Sequence, residues 1–281
     1  MPDIFLIGVS FISSQGYTII STTSLNPAPA QIETAKELAF LLKVPYESRR
    51  DFSLPVLSAR CGATGLLVVS ADRVSFKAEG REFFFHPGIA MLRIKDLKNG
   101  KIDKMIEAMS LECPMKVLDC TLGLAADAIV SSFVVGAHGR VVGLESSPLI
   151  AAIVSRGLAS YRTGEADIDA AMRRVEVIAA DHREYLMELN PGCFDVIYFD
   201  PMFRWPRKRS SAINAMRGLA GTEPLEREAV EAAVGVATHR IVVKERRGSS
   251  EFTRLGLESV CGGKHAPVIY GVSAGRGGEK R

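Results

Sequence analysis

Acidic residues recur in this chain where short apolar runs end. Met115 to Asp119 runs into Asp119-Cys120-Thr121-Leu122-Gly123-Leu124-Ala125, and Arg140 to Glu145 closes on Glu145. Val175 to Ala180 gives way to Asp181-His182, and Phe194 to Phe199 gives way to Asp200-Pro201-Met202-Phe203. Short, near-continuous apolar runs alternating with helical patterns read as parallel strands covered on both faces. In such a sheet, ligands bind beyond the carboxyl ends of the strands. Four successive strands ending in an acid therefore place four carboxylates along one binding edge. Taken singly, an acid at a strand end also reads as the N-cap of the following helix.

The chemistry differs from position to position. Gly123 lets the backbone turn tightly and approach a ligand with no Cβ in the way. Glu145 follows Asp119 at roughly the ~20-residue offset at which an acid reaches ribose hydroxyls in dinucleotide folds. Asp181 can accept from an adenine amine, and the backbone amide of His182 can donate to the ring. A dinucleotide site calls for Gly-x-Gly-x-x-Gly, whereas this loop has Gly123 alone, with Ala125 where a second glycine would stand. A cofactor that seats a pyrophosphate is thereby disfavoured, while S-adenosylmethionine, which carries no phosphate, remains compatible.

Asp200-Pro201-Met202-Phe203 is the sharpest signal. An exocyclic amine on a nucleic-acid base is a poor nucleophile because its lone pair is delocalised into the ring. Acceptors that hold its two N–H bonds aim the lone pair at a methyl donor, and the Asp200 carboxylate and Pro201 carbonyl are such acceptors. Phe203 can stack on the base, which must leave its helix or come from a loop to reach the site. The bland alternative is an Asp-Pro turn followed by a core Phe. Next comes Arg204-Trp205-Pro206-Arg207-Lys208-Arg209, four cations around the single tryptophan. Cations hold phosphates and an exposed aromatic stacks a base, so Arg204, Trp205, Arg207, Lys208 and Arg209 are candidates for nucleic-acid contact. A solvated loop is the alternative.

The elements that must position these residues follow from periodicity. Residues 111–273 read as an α/β unit, a mostly parallel sheet with helices on both faces. Leu257 to Cys261 and Pro267 to Val272 form an antiparallel hairpin at its edge. Residues 1–110 read as a smaller α/β domain, with residues 1–15 as an extension. Its strands lie at Tyr17 to Thr22, Gly65 to Ser70, Val74 to Ala78 and Glu82 to Phe85, with Glu79-Gly80 a turn. A helix starts at Asn26-Pro27 and buries Ile32, Ala35, Leu38, Ala39 and Leu42 before Pro45 stops it. The boundary is expected between Lys98 and Cys113, and the glycine-rich tail 274–281 is expected to fray.

Composition sets outer limits. The 281 residues are 47% hydrophobic and 24% charged, with a net charge of +3, an ordinary globular balance compatible with a polyanionic partner. Five scattered cysteines without Cys-x-x-Cys, and five dispersed histidines, suggest neither a disulfide framework nor a metal site. A reducing cytoplasm is the expected location, and the apolar N-terminus is too short to span a bilayer.

At these motifs the sequence resembles the RsmJ-type small-subunit ribosomal RNA guanine-N2 methyltransferases and their bacterial relatives, from about Tyr17 to Val272. Val117-Leu118-Asp119-Cys120-Thr121-Leu122-Gly123-Leu124-Ala125-Ala126-Asp127-Ala128 corresponds to the family's Asp-Ala-Thr-Ala-Gly-Leu-Gly-Arg-Asp-Ala, and Leu144-Glu145-Ser146 to its Leu-Glu-Arg. Asp200-Pro201-Met202-Phe203 is identical to the family's motif. Phe85 to Lys95 looks like a degenerate form of Gly-Gly-Ala-Met-x-His-Arg-Arg-Lys. The resemblance implies a Rossmann-like class I methyltransferase with a seven-stranded sheet, S-adenosylmethionine as cofactor and ribosomal RNA as partner. It implies cofactor contacts at Ala126, Asp127, Glu145, Ser146, Asp181, His182 and Asp200, beside Asp119 and Gly123 from the loop. Ala126 and Ser146 stand where the family has Arg, and Asp181-His182 where it has Ser-Ser. Arg93 is expected to extend the RNA surface. Methylation of another base or of a small-molecule amine, and a non-catalytic RNA-binding protein retaining the fold, are the alternatives.

Overall fold

In the computed structural model, the described residues are 17–201, 223–257, 259–263 and 265–277. The first sixteen residues, Met202, Phe203 and the basic run from Arg204 to Arg209 lie outside them.

The first unit is a four-stranded sheet of β1 (Ile19–Thr23), β2 (Gly65–Val69), β3 (Val74–Ala78) and β4 (Arg81–Phe84), paired in that order. β1 and β2 are parallel, and the rest run antiparallel. Glu79 and Gly80 have φ of 50° and 70°, the left-handed pair that closes a two-residue hairpin. Between β1 and β2 lie α1 (Pro29–Leu42) and α2 (Leu54–Cys61). α1 starts two residues beyond the expected Pro27, because the Gln31 side chain accepts from the Ala28 N–H at 2.6 Å and fixes the first turn there. It buries Ala35, Leu38, Ala39 and Leu42 as its spacing predicts, whereas Ile32, one turn from the start, is only half-buried.

The segment expected to hold the boundary, between Lys98 and Cys113, carries one short helix, and a longer helix ends where it begins. α3 (Gly88–Lys98) packs on the helix Ala126–Val135, and α4 (Lys104–Met109) packs against the strands Ala237–Arg246 and Val268–Ala274. Asp103 caps α4, its Oδ1 accepting from the N–H groups of Met105 and Ile106 at 3.0 and 3.3 Å.

The larger unit runs β5 (Lys116–Asp119), α5 (Ala126–Val135), β6 (Arg140–Glu145), α6 (Pro148–Ser160), α7 (Ala166–Arg174), β7 (Val175–Ala179), α8 (His182–Glu188) and β8 (Phe194–Phe199). It continues with α9 (Arg227–Val236), β9 (Ala237–Arg246), α10 (Glu251–Leu255), β10 (Ser259–Cys261) and β11 (Val268–Ala274). The seven strands lie in the order β10-β11-β9-β8-β5-β6-β7. The five strands β9, β8, β5, β6 and β7 are parallel to one another, and β11 is antiparallel to both β9 and β10. The chain winds outward from β5 to β7, then returns to lay β8 on the other side of β5. That reversal is the topological switch point where open α/β sheets bind ligands.

One hydrophobic cluster joins the two sheets. Leu38, Leu67, Phe83 and Phe85 share it with Ile129, Ile150, Ile153 and Leu158. Phe85 meets Tyr161 edge-to-face at 6.0 Å between ring centroids. The tail differs from its expected fraying: backbone N–H groups of Gly275, Arg276 and Gly277 donate to the carbonyls of His239, Ala237 and Thr238, so the chain stays laced to β9 through Gly277. No helix among the described residues is long and apolar enough to cross a membrane.

Candidate active site

A cleft opens at the carboxyl ends of β5, β6, β7 and β8. Its walls include Thr121, Gly123, Glu145, Ser146, Asp181, His182, Asp200 and Pro201, with Glu223 to Glu226 on the far side. The structure thus brings together six of the sequence-predicted positions around one cavity, along with Pro201. Asp119, Ala126 and Asp127 do not line it: Ala126 opens α5, and the other two lie buried behind.

The turn after β5 is built by Gly123 at φ 50° and Ala125 at φ 61°. Only here does the loop need glycine-like backbone, and Ala125 adopts it at the cost of its Cβ. Gly123 presents its N–H to Glu145 Oε2 at 3.2 Å, and Ser147 presents its own to Oε1 at 2.9 Å. Glu145 is 6% exposed. Burial raises its carboxyl to about 7, against the lowering effect of those two amides. Asp119 is pushed up to about 8, by burial and then by the charge of Asp127, while it accepts from the Thr121 N–H at 3.0 Å. Thr121 ties two strand ends together, its hydroxyl accepting from the Asp200 N–H at 2.6 Å.

Asp181 caps α8 as one sequence reading allows. Both of its oxygens accept from Arg183, from Nε at 3.0 Å and from Nη2 at 2.6 Å, and Arg183 holds its carboxyl below the usual range although burial opposes this. Arg183 also donates to Glu223 at 2.9 Å. His182 packs edge-to-face on Phe199, and burial lowers its pKa, so the ring is neutral at physiological pH. Its Nε2 is buried with no hydrogen-bond partner among the described residues.

Beneath the cleft lies a chain of ion pairs. Lys244, ending the apolar part of β9, donates to Asp200 Oδ2 at 2.8 Å and to Asp127 Oδ2 at 3.0 Å. Tyr198 donates its hydroxyl to the same Asp127 oxygen at 2.8 Å. Arg93 on α3 donates to Asp127 Oδ1, and its Nε and Nη2 donate to Asp103 at 2.7 and 3.0 Å. Burial and the neighbouring Asp127 push the Asp200 carboxyl up to about 6, while Lys244 opposes them. Asp127 goes the other way: Lys244 and Arg93 outweigh its burial and hold it well below the usual range.

Arg93 therefore does not belong to an RNA-facing surface as expected. Its guanidinium is committed to two carboxylates and its side chain is 21% exposed. Asp127 is likewise turned away from the cleft, into this ionic chain. Sequence reasoning passed over Lys244, Tyr198 and Arg183. Reading the end of the fifth parallel strand by the rule applied to the first four points to Lys244; Tyr198 and Arg183 carry no comparable signal.

The donor set suits S-adenosylmethionine. A buried carboxylate at the second strand end matches a ribose diol, the Gly123 turn admits close approach, and His182 Nε2, without a partner among the described residues, offers a polar edge. Carboxylates near the cleft complement a sulfonium cation.

Comparisons with known proteins agree. Residues 69–264 match the model of a family described as "Putative SAM-dependent methyltransferase". A Bacillus subtilis protein called YpiP is 38% identical over 89% of this chain and 97% of its own length. Ribosomal RNA small subunit methyltransferase J of Dechloromonas aromatica is 29% identical over 88% of this chain and 94% of its own. Its namesake in Hydrogenovibrio crunogenus is 35% identical over 50% of this chain and 51% of its own. The crystal structure of an SAM-dependent methyltransferase from Neisseria gonorrhoeae covers 94% of this chain and 98% of its own with a TM-score of 0.64 at 17% identity, a likeness of fold. With a seven-stranded Rossmann-like sheet, a cleft at its switch point and a family match over most of its length, the chain belongs to the S-adenosylmethionine-dependent methyltransferase family.

Proposed function

We propose that this methyltransferase modifies an exocyclic base amine, guanine N2 of small-subunit ribosomal RNA. The observation that carries the reading is the state of Asp200. Its Oδ2 is taken by Lys244, its Oδ1 has no partner among the described residues, and it stands beside Pro201 on the cleft wall. That leaves one carboxylate oxygen and the adjacent Pro201 carbonyl as acceptors for the two N–H bonds of an amine. Hydrogen bonds to a charged group contribute about 1.5–3 kcal/mol, and orienting the lone pair contributes through proximity and alignment. The relatives named ribosomal RNA small subunit methyltransferase J support the choice of RNA.

When bound, S-adenosylmethionine supplies a methyl group on a sulfonium. Glu145 accepts from its ribose hydroxyls, Gly123 gives it room, Ser146 borders it, and Asp181 and His182 flank its adenine. Asp119 and Asp127 act on the loop and the charge balance from behind. Phe203 stacks on the target base, and Arg204, Trp205, Arg207, Lys208 and Arg209 grip the RNA, roles that rest on the sequence alone.

The test is transfer of labelled methyl from S-adenosylmethionine to unmodified small-subunit ribosomal RNA and to small subunits, with Asp200→Ala in parallel. The expected product is labelled N2-methylguanosine, absent with the variant. Cofactor binding without any label in ribosomal RNA would refute the substrate; equal labelling by Asp200→Ala would refute the role of Asp200.

A further inference from the structure

The ammonium of Lys244 lies between two carboxylates from different elements, 3.0 Å from Asp127 on α5 and 2.8 Å from Asp200 beyond β8. Its side chain is 20% exposed, so solvent screens this pair of contacts weakly. Asp127 is itself immobilised: Arg93 claims one oxygen, while Tyr198 and Lys244 claim the other. Arg93 is in turn clamped by Asp103, the cap of α4. Lys244 therefore hangs from a fixed point and passes that fixity to Asp200, the cleft-wall carboxylate it bonds.

We propose that Lys244 is the positioning residue of this active site: bridging Asp127 to Asp200, it holds the Asp200 carboxylate in one orientation and in its charged, accepting form. The proposal rests on the reading of Asp200 as the acceptor for the target amine. A protonated Asp200 turns from acceptor to donor at one oxygen and stops competing for the amine N–H. The need for a cation is local. Asp119 on β5 and Asp127 on α5 both bear on Asp200, Tyr198 of β8 lies behind it, and Tyr270 of β11 pairs with Lys244 across the sheet. Of the cations near Asp200 among the described residues, Arg93 is already divided between Asp103 and Asp127, which leaves Lys244 as the one bonded to it.

The two obvious perturbations have opposite signs. In Lys244→Met the stabilising cation is gone and Asp127 remains, so the neutral form of Asp200 is favoured and its titration moves up. In Asp127→Asn the repelling anion is gone and Lys244 serves Asp200 alone, so the titration moves down. A residue that merely filled space would produce neither shift.

The experiment is a titration of the whole protein carrying 13C-labelled aspartate γ-carboxyls, followed by NMR, with Asp200→Asn identifying the Asp200 resonance by its loss. The wild-type midpoint is expected at about 6. Lys244→Met should raise it by about one to three pH units, the usual effect of an opposite charge within hydrogen-bonding range. Asp127→Asn should lower it, and Lys244→Arg should keep it near the wild-type value. An unchanged or lowered midpoint in Lys244→Met overturns the proposal. If that variant does not fold, Asp127→Asn decides: a midpoint that stays or rises overturns it. Methyl transfer is a separate readout, its acid limb expected to follow the Asp200 midpoint in each variant. Carboxyl shifts in the expected directions with no transfer to ribosomal RNA by the wild type would refute the substrate reading and leave the role of Lys244 standing.

Discussion

Protonating Glu145 should weaken cofactor binding while leaving the fold intact. Its carboxylate is 6% exposed, receives N–H groups from Gly123 and Ser147, and is raised to about 7 by burial. A ribose diol donates to the charged form, so only the ionised fraction binds at full strength. The sign follows: affinity reaches a plateau above about pH 8 and declines as pH falls through 7. Near pH 6 about one carboxylate in eleven is ionised, which makes the apparent Kd roughly tenfold larger than at the plateau. Glu145→Gln should lose the charge-assisted bonds, about 1.5–3 kcal/mol, or roughly tenfold to 150-fold in affinity. It should also abolish the pH dependence contributed by this group. Calorimetric titration with S-adenosylhomocysteine from about pH 5.5 to about 8.5 at constant ionic strength measures both. Asp200 and Asp119 titrate in the same range, pushed up to about 6 and about 8, so flattening by Glu145→Gln is the discriminating observation. Wild-type affinity that is flat with pH, or Glu145→Gln binding within about twofold of the wild type, would show that this carboxylate does not hold the ribose.

The ionic chain and the core give further expectations. Asp119, raised to about 8 by burial and by Asp127, binds its proton more tightly folded than unfolded. Stability should therefore fall as pH rises from its unfolded pKa toward 8, by at most about 1.4 kcal/mol per pH unit from this group; Asp119→Asn should flatten that slope in denaturant unfolding curves. Arg93→Met removes the cation shared by Asp103 and Asp127, so unfolding should show a loss of about 3–5 kcal/mol, while the salt dependence of RNA binding stays as in the wild type. Gly157 lies in α6 against Phe85, whose ring a Cβ at that position would overlap. Gly157→Ala should thus lower stability by about 1–3 kcal/mol, against the usual gain from alanine in a helix, as read from the chemical-denaturation midpoint. Neutralising Arg207, Lys208 and Arg209 should reduce the slope of log affinity for RNA against log salt by about one per lost phosphate contact; an unchanged slope would remove this segment from the RNA interface.

The four strand-end acids were legible because their signal is local. A buried strand is a short apolar run, and the residue that ends it can be read directly; β5, β6, β7 and β8 fall where the runs stand. Their partners were not legible, because they come from elsewhere in the chain. Arg93 and Lys244 meet at Asp127 only when α3 crosses α5 and β9 pairs with β8. A lone arginine in a helical stretch carries no mark that separates a buried clamp from a phosphate contact. Short helices escaped for a related reason. α3 buries only Ala90 and Ile94 while Ile89 and Leu92 are exposed, so its apolar residues mark no single face, and α2 buries only Leu57. The tail reads as frayed by composition, yet backbone bonds to residues 237–239 need no side-chain signal at all.

The arrangement at the switch point follows from what burial does to charge. One buried carboxylate costs several kcal/mol unless a cation or hydrogen bonds offset it. The Asp200 side chain is only partly exposed, at 28%, and its backbone is held by Thr121 at the end of the neighbouring strand. It must therefore be compensated where it stands, and the compensating Lys244 is shared with Asp127. Sharing leaves Asp127 short of positive charge, which Arg93 supplies from α3, and Arg93 is held in place by Asp103 at the start of α4. Two cations then face three carboxylates in this chain, a balance of one negative charge ending at the cleft. A sulfonium is the complementary ligand for that residual charge, and the attraction weakens once a neutral thioether remains after transfer. The helices α3 and α4, which precede the sheet in sequence, are by this argument part of the electrostatic support of Asp200 as well as of the core beneath it.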